Sequence, residues 1–235
     1  MKKYFMGVNL SDDRARAFAR YNLLKYGRAW SLDRCAHSDL GLASKHHSIR
    51  DIDVEELRRH AFLYEAAVSP GAGSSIVIAS MLLAGMPVDI GDRPINKGEA
   101  ENAIEKSYFE CFMEQVRRRI APHEVSRINC LYVSDSRETI AIIKGFYQYS
   151  PILTLRIAPG SKMTRADIRW YDDFCKAFRQ YNISYFVDCA KKYWTSHPYP
   201  EASTTRWEYL VDGEIIVENG LDDLSDALDE YEGQI

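Results

Sequence analysis

The sequence has no two cysteines at the short interval that zinc or redox motifs use; its five, Cys35, Cys111, Cys130, Cys175 and Cys189, stand far apart. That spacing and the odd count argue against a zinc knuckle or a disulfide framework, and read as reduced, mostly buried thiols of a cytoplasmic protein. A long apolar run is also missing. The most apolar stretch, IVIASMLLAGMPV, falls short of the ~20 residues that a membrane span needs and carries Gly and Pro. The opening, MKKYFMGVNLSDD, meets Asn, Ser and Asp before any secretion-signal core, so neither export nor membrane association is expected. His46 and His47 are adjacent, with His37 and His60 nearby, but no Cys or acid stands at ligand spacing from them. Adjacent residues do not converge on one ion from a regular element, and no metal is expected. SPGAGSSIVIASMLL lacks the Gly-Lys-Ser/Thr ending of a phosphate-binding loop and reads as a turn into a buried element. Repeats and low-complexity segments are absent as well.

What is present is the composition of a globular chain: 235 residues, 46% hydrophobic and 27% charged. That length and balance predict one large domain. The net charge of −4 is unevenly placed, because LDDLSDALDEYEGQI holds six acids and no base. Residues 1–220 are therefore expected to form the domain and residues 221–235 an acidic C-terminal tail, either a solvated helix or a segment that meets a basic partner.

Helical and extended segments interleave. KYFMGVN reads as a first strand, and DDRARAFARYNLLKYG as a helix with Ser11 as cap and Gly27 as stop. DVEELRRHAFLYEAAV carries a capping-box spacing from Asp53 to Glu56. Ile104, Tyr108, Phe112, Val116 and Ile120 form a four-residue stripe expected to face the core, closed by Arg117, Arg118 and Arg119 at the dipole's negative end. NCLYVSD and ILTLRIAP read as strands, SRETIAIIKGFY as a helix opening on Ser136, and RWYDDFCKAFRQY and SYFVDCAKKYW as helices with aromatic core faces. RWEYLV and EIIVEN around Asp212-Gly213 predict a hairpin. Its first strand places Trp207, Tyr209 and Val211 on one face and Glu208 with Leu210 on the other, leaving a carboxylate in an otherwise apolar strand.

Three segments carry a resemblance. WEYLV resembles the acidic strand of the ADP-ribosyltransferase superfamily, in particular its poly(ADP-ribose) polymerase-like branch; CLYVSDSRETIAI resembles that branch's middle motif, and YFMGVN falls where its first strand grips NAD. FMEQVRRRIAPHEVSRINCLYVSDS and AKKYWTSHPYP also resemble a bacterial family of unknown function with this fold. The resemblance implies an α+β protein with an ADP-ribosyltransferase-like split β-sheet core flanked by helices. It implies NAD as substrate, Glu208 as the catalytic carboxylate, and transfer of one ADP-ribose to a macromolecule. A compact bacterial transferase of this kind would act as a toxin, in a toxin–antitoxin or phage-defence setting, with an antitoxin protein as a further partner. An NAD glycohydrolase and an inactive binding protein on the same fold remain alternatives.

The chemistry needs those residue types. Cleavage of the nicotinamide–ribose bond passes through an oxocarbenium-like transition state, which a preorganised carboxylate on the ribose 2′-hydroxyl stabilises. By the same resemblance Gly7 offers a backbone edge to the nicotinamide carboxamide, Ser136 or else Ser134 lines the nicotinamide ribose, and Tyr132 beside them is a cofactor contact or a packing residue. Met6 stands where the polymerases carry a ribose-binding histidine, so Asn9 and Arg127 are the candidates for the adenosine half. Arg206 replaces the second acid of arginine-modifying toxins, which turns the expected acceptor from arginine towards nucleic acid, RNA first and protein second. Arg206, Trp207 and Tyr209 are its candidate contacts, Arg117–Arg119 and Arg127 extending the positive surface.

Overall fold

The computed structural model describes residues 2–11, 13–31, 78–79, 81–83, 85–90, 93–128, 130–143, 151–200 and 205–233. The expected helix opening at Asp53, His37, His46, His47, His60, Cys35 and most of the glycine-rich stretch lie outside them.

Strand β1 (Tyr4–Gly7) buries Tyr4 and Met6, and α1 (Asp13–Phe18) runs on into a π-helical turn at Ala19–Leu24 that buries Ala19 and Leu23. Gly27, at φ +64°, turns the chain into β2 (Arg28–Trp30), a left-handed conformation that costs glycine little. Short strands β3 (Asp89–Ile90) and β4 (Arg93–Pro94) precede α2 (Lys97–Ile120). At its start Asn96 Oδ1 accepts from Glu99 N at 3.0 Å while Glu99 Oε2 accepts from Asn96 N at 2.9 Å, a complete capping box. Then follow β5 (Leu131–Val133), α3 (Arg137–Ile143), β6 (Ile152–Ile157), β7 (Lys162–Asp167), α4 (Ile168–Arg179), α5 (Ile183–Trp194), β8 (Trp207–Asp212), β9 (Glu214–Asn219) and α6 (Leu221–Glu232).

The result is a mixed α and β architecture with antiparallel sheets. One sheet has the order β1-β6-β9-β2 and the other β5-β8-β7; β3 and β4 form a separate pair. Among the described residues an isolated bridge, Phe5 to Ser134, joins the two larger sheets. Two cores follow from the alternation. Tyr4, Met6, Leu131, Val133, Tyr209, Val211 and Ile215 share one face with Phe18, Leu23, Leu224 and Leu228, so the α1 turn and α6 cover it. On the other face Ala166 and Leu210 pack with Met113, Trp170, Phe174, Cys189, Tyr193 and Trp194 from α2, α4 and α5. Strand β8 is thus central in its sheet and covered on both faces.

Several elements differ from the sequence reading. The Asp212-Gly213 hairpin does not form: β8 pairs with β5 and β7, and β9 with β6 and β2. Gly213, at φ +146°, carries the chain from one sheet into the other instead of reversing it, and a Cβ there would lie 2.3 Å from Ser161 Oγ. Strand β7, KMTRAD, was not expected because its exposed edge is charged and lacks an apolar alternation. The α2 stripe is displaced as well: Ala103, Ser107, Glu110, Met113 and Glu114 are buried, while Tyr108 and Ile120 are exposed. At ~3.6 residues per turn a strict four-residue spacing drifts about 40° per step and leaves the core face. The acidic tail expected from residue 221 folds as α6, with its acids outward and Leu224 and Leu228 in the first core. No helix among the described residues is long and apolar enough to cross a membrane.

Candidate functional site

Glu208 stands on β8 opposite Ala166 of β7, and continuation of the β5 register brings Ser134 to its other side. Its side chain points to the second core and is 4% exposed. Oε1 accepts from Arg127 Nη1 and from the Tyr193 hydroxyl, each at 2.5 Å. Among the described residues Oε2 has no hydrogen-bond partner.

Arg127, from the turn between α2 and β5, is equally buried. Its Nε and Nη2 donate to Glu110 Oε2 and Oε1 at 3.0 and 3.3 Å, and Tyr171 donates to Glu110 Oε1 at 2.6 Å. The guanidinium lies 4.0 Å from the Tyr171 ring centroid, with Tyr132 and Tyr193 at 5.1 and 5.2 Å. Tyr132 donates to the Arg127 carbonyl at 2.6 Å, which fixes the turn. Two carboxylates thus share one guanidinium inside an aromatic box. Burial pushes the Glu208 carboxyl above the ordinary range, and Glu110 adds to this, against the pull of Arg127 and Tyr193. Burial likewise raises the Tyr132, Tyr171 and Tyr193 phenols, which stay neutral. Burial disfavours the Arg127 charge, yet Glu110, the phenols and Glu208 more than compensate and the guanidinium stays protonated.

The structure gathers part of the expected set. Phe5 exchanges both backbone hydrogen bonds with Ser134, and Val8 donates to Pro151 on the β6 side. By the alternation of an antiparallel ladder, Gly7 N–H and C=O point away from β6, as those of Phe5 do, into the fork where β1 and β5 part. Tyr132 and Ser134 occupy the same face of β5 as Glu208 does of β8. Ser134 donates to the Trp207 carbonyl at 2.7 Å and accepts from Ser136 N at 3.2 Å. Ser136 caps α3 by accepting from Thr139 N at 3.0 Å, and Asn9 accepts from Ser11 N at 3.0 Å; both therefore serve local turns.

Other expected contacts are not brought together. Arg127 is enclosed between Glu110 and Glu208, so it offers nothing to an adenosine half and adds nothing to a positive surface. Tyr209 is 4% exposed, packs edge-on against Tyr4 and donates its hydroxyl to Asp135 at 2.7 Å, so it is engaged within the first core. Arg117 binds both Glu114 oxygens and the carbonyls of Pro122 and Glu124, closing the end of α2. Trp207 is half-buried beneath Arg165, whose guanidinium lies 4.2 Å from its ring, and Arg206 precedes it. Neither arginine forms an ion pair among the described residues. Sequence reasoning missed Glu110, Tyr171 and Tyr193; the one signal was Glu110, the single acid in the otherwise apolar run YFECFM, residues 108–113. No group of three His, Cys, Asp or Glu able to hold a metal occurs among the described residues.

The family model described as a protein of unknown function, DUF2441, matches residues 92–223. The chain belongs to the DUF2441 family. No curated protein matches it. The matched span of this DUF2441 protein contains Glu110, Arg127, Tyr132, Ser134, Tyr171, Tyr193 and Glu208, whereas Gly7 and Asn9 lie before it.

Proposed function

We propose that this DUF2441 protein is an NAD-dependent mono-ADP-ribosyltransferase that modifies a macromolecule. The observation that carries the reading is the Glu208 carboxylate: it is tethered through Oε1 alone, its Oε2 has no described partner, and it shares a sheet face with Ser134 and Tyr132 beside the fork into which Gly7 directs its backbone groups. A buried acceptor oxygen left open in this way suits a ribose hydroxyl, and the Gly7 N–H and C=O suit a carboxamide. The role of Glu208 is to accept from the 2′-hydroxyl as positive charge develops at C1 of the ribose. The C1–N bond breaks with its electron pair leaving on nicotinamide; the acceptor's lone pair forms the new bond to C1 and its proton passes to solvent. Arg127 and Tyr193 keep the carboxylate from rotating, which is preorganisation of the kind that lowers such barriers.

For the acceptor, Arg165 stacked on Trp207 and the adjacent Arg206 form a cation-flanked aromatic at the start of β8. Single-stranded RNA matches that chemistry through stacking and phosphate contacts. A second reading, a binding protein without catalysis, has the 4% exposure of Glu208 and its closure by Arg127 and Tyr193 in its favour. Incubation with labelled NAD and lysate decides: label on macromolecule supports transfer, free ADP-ribose alone indicates hydrolysis, and unchanged NAD leaves the binding reading. Label that survives ribonuclease but not protease makes protein the acceptor.

A further inference from the structure

Glu110 is a fully engaged buried acid to which the reaction above assigns no role. We infer that Glu110 is a positioning residue that, by claiming most of Arg127, sets how readily Glu208 holds a proton and so regulates the proposed site. The guanidinium is divided unequally. Glu110 takes Nε and Nη2 as a two-pronged fork at 3.0 and 3.3 Å, and Glu208 receives only Nη1 at 2.5 Å. The fork cannot swing towards Glu208, because the Tyr171 ring stacks at 4.0 Å and its hydroxyl pins Glu110 Oε1 at 2.6 Å.

Charge balance then points to Glu208. Two carboxylates and one guanidinium sit with neutral phenols from β5 (Tyr132), α4 (Tyr171) and α5 (Tyr193) and the Cys130 thiol, so the enclosed group carries one excess negative charge when both acids are ionised. At its edge Asp172 of α4 lies within electrostatic reach of Arg127, with Lys176 and Arg206 opposing its charge, and the Cys175 thiol of α4 beside Tyr171 is kept neutral by burial. A proton entering this group finds both Glu110 oxygens in hydrogen bonds and Glu208 Oε2 open. Glu208 is therefore the group that takes up the proton, and Glu110 is the charge that makes it do so.

The test is a pH titration of the Glu208 carboxyl by 13C NMR in protein labelled at glutamate, the signal assigned by its loss in Glu208→Gln. Glu110→Gln keeps the shape and removes the charge, and the Glu208 midpoint is expected to fall by roughly one pH unit. Tyr171→Phe removes the hydroxyl that pins Glu110 Oε1, so that Arg127 can turn further towards Glu208, and lowers the midpoint by less, which keeps the question answerable should Glu110→Gln not fold. Glu105→Gln, on the same helix but paired with Arg179 at the surface, leaves it unmoved. An unchanged or raised midpoint in folded Glu110→Gln, or in Tyr171→Phe if only that variant folds, overturns the inference. This inference rests on the transferase reading only for its kinetic arm, in which the acid limb of NAD cleavage moves with the midpoint. Titration that shifts as expected in a protein that never cleaves NAD overturns the transferase reading and upholds the role of Glu110; cleavage with an unmoved midpoint does the reverse.

Discussion

At Glu208 a single change separates charge from shape. Glu208→Gln keeps an oxygen for Tyr193 and Arg127, and Arg127 keeps Glu110, so folding is expected to survive. Loss of the charge facing the oxocarbenium lowers NAD cleavage by ~100–1,000-fold; near wild-type turnover in the folded variant removes Glu208 from catalysis. The same variant carries a stability signature. Because burial raises the folded carboxyl above its unfolded value, the wild type loses stability as pH rises from about 4.5 through the folded midpoint, where the group ionises at a cost. Glu208→Gln lacks that slope, and urea unfolding at several pH values reads it. The sequence showed this residue because an acid in an apolar strand is locally anomalous. It did not show Glu110 or Tyr193, since an acid on a helix and a tyrosine near Trp194 have ordinary explanations until tertiary packing brings them within 3.3 Å of Arg127 or 2.5 Å of Glu208.

Among the elements, the crossing at Gly213 and helix α6 show where local signals are overridden. Asp-Gly between apolar runs is a strong hairpin signal, but only one residue separates β8 from β9, and Ser161 approaches too closely for any side chain. Gly213→Ala is expected to destabilise by ~1–3 kcal/mol through its positive φ and the clash, and pairing it with Ser161→Gly recovers only the side-chain part of the clash, because the residue-161 Cα still lies 2.8 Å from the new Cβ; equal melting of wild type and Gly213→Ala contradicts this. The acids of α6 dominated its reading, whereas its two fully buried leucines determine its place. Each such leucine contributes ~1.5–3 kcal/mol, a large share of the ~5–15 kcal/mol that holds a domain. Removal of residues 221–235 is thus expected to abolish cooperative melting; a truncated chain that still unfolds in one sharp transition would separate α6 from the core. Strands β5, β6 and β8 were legible because their alternation is local, and α4 and α5 because their aromatics recur on one face; β7 was not, since its partner β8 supplies the apolar environment.

On the scale of the molecule, NAD in excess is expected to raise the melting temperature without added metal, since a ligand at ~100 times its dissociation constant adds ~2.7 kcal/mol. A calorimetric scan that is unchanged by NAD, or that shifts only with a divalent cation, speaks against this. RNA binding through Arg165, Trp207 and Arg206 should weaken with salt, and Arg165→Ala should reduce the salt slope by about one; a salt-independent affinity counts against phosphate contact.

The pairing of segments so far apart in the sequence has a further consequence for synthesis. Ser31 donates to Asp212 across 181 residues of sequence, β1 pairs with β6, and the face that holds Tyr4, Met6 and Leu23 is closed by Leu224 and Leu228. In a nascent chain β1 therefore stays unpaired until β6 has emerged, and the face it shares with Leu23 stays uncovered until α6 has followed. Long-range pairing of this kind slows folding and prolongs exposure to aggregation, so the yield of soluble protein should depend on chaperones that shelter β1 and α1 while β6 and α6 are still being made.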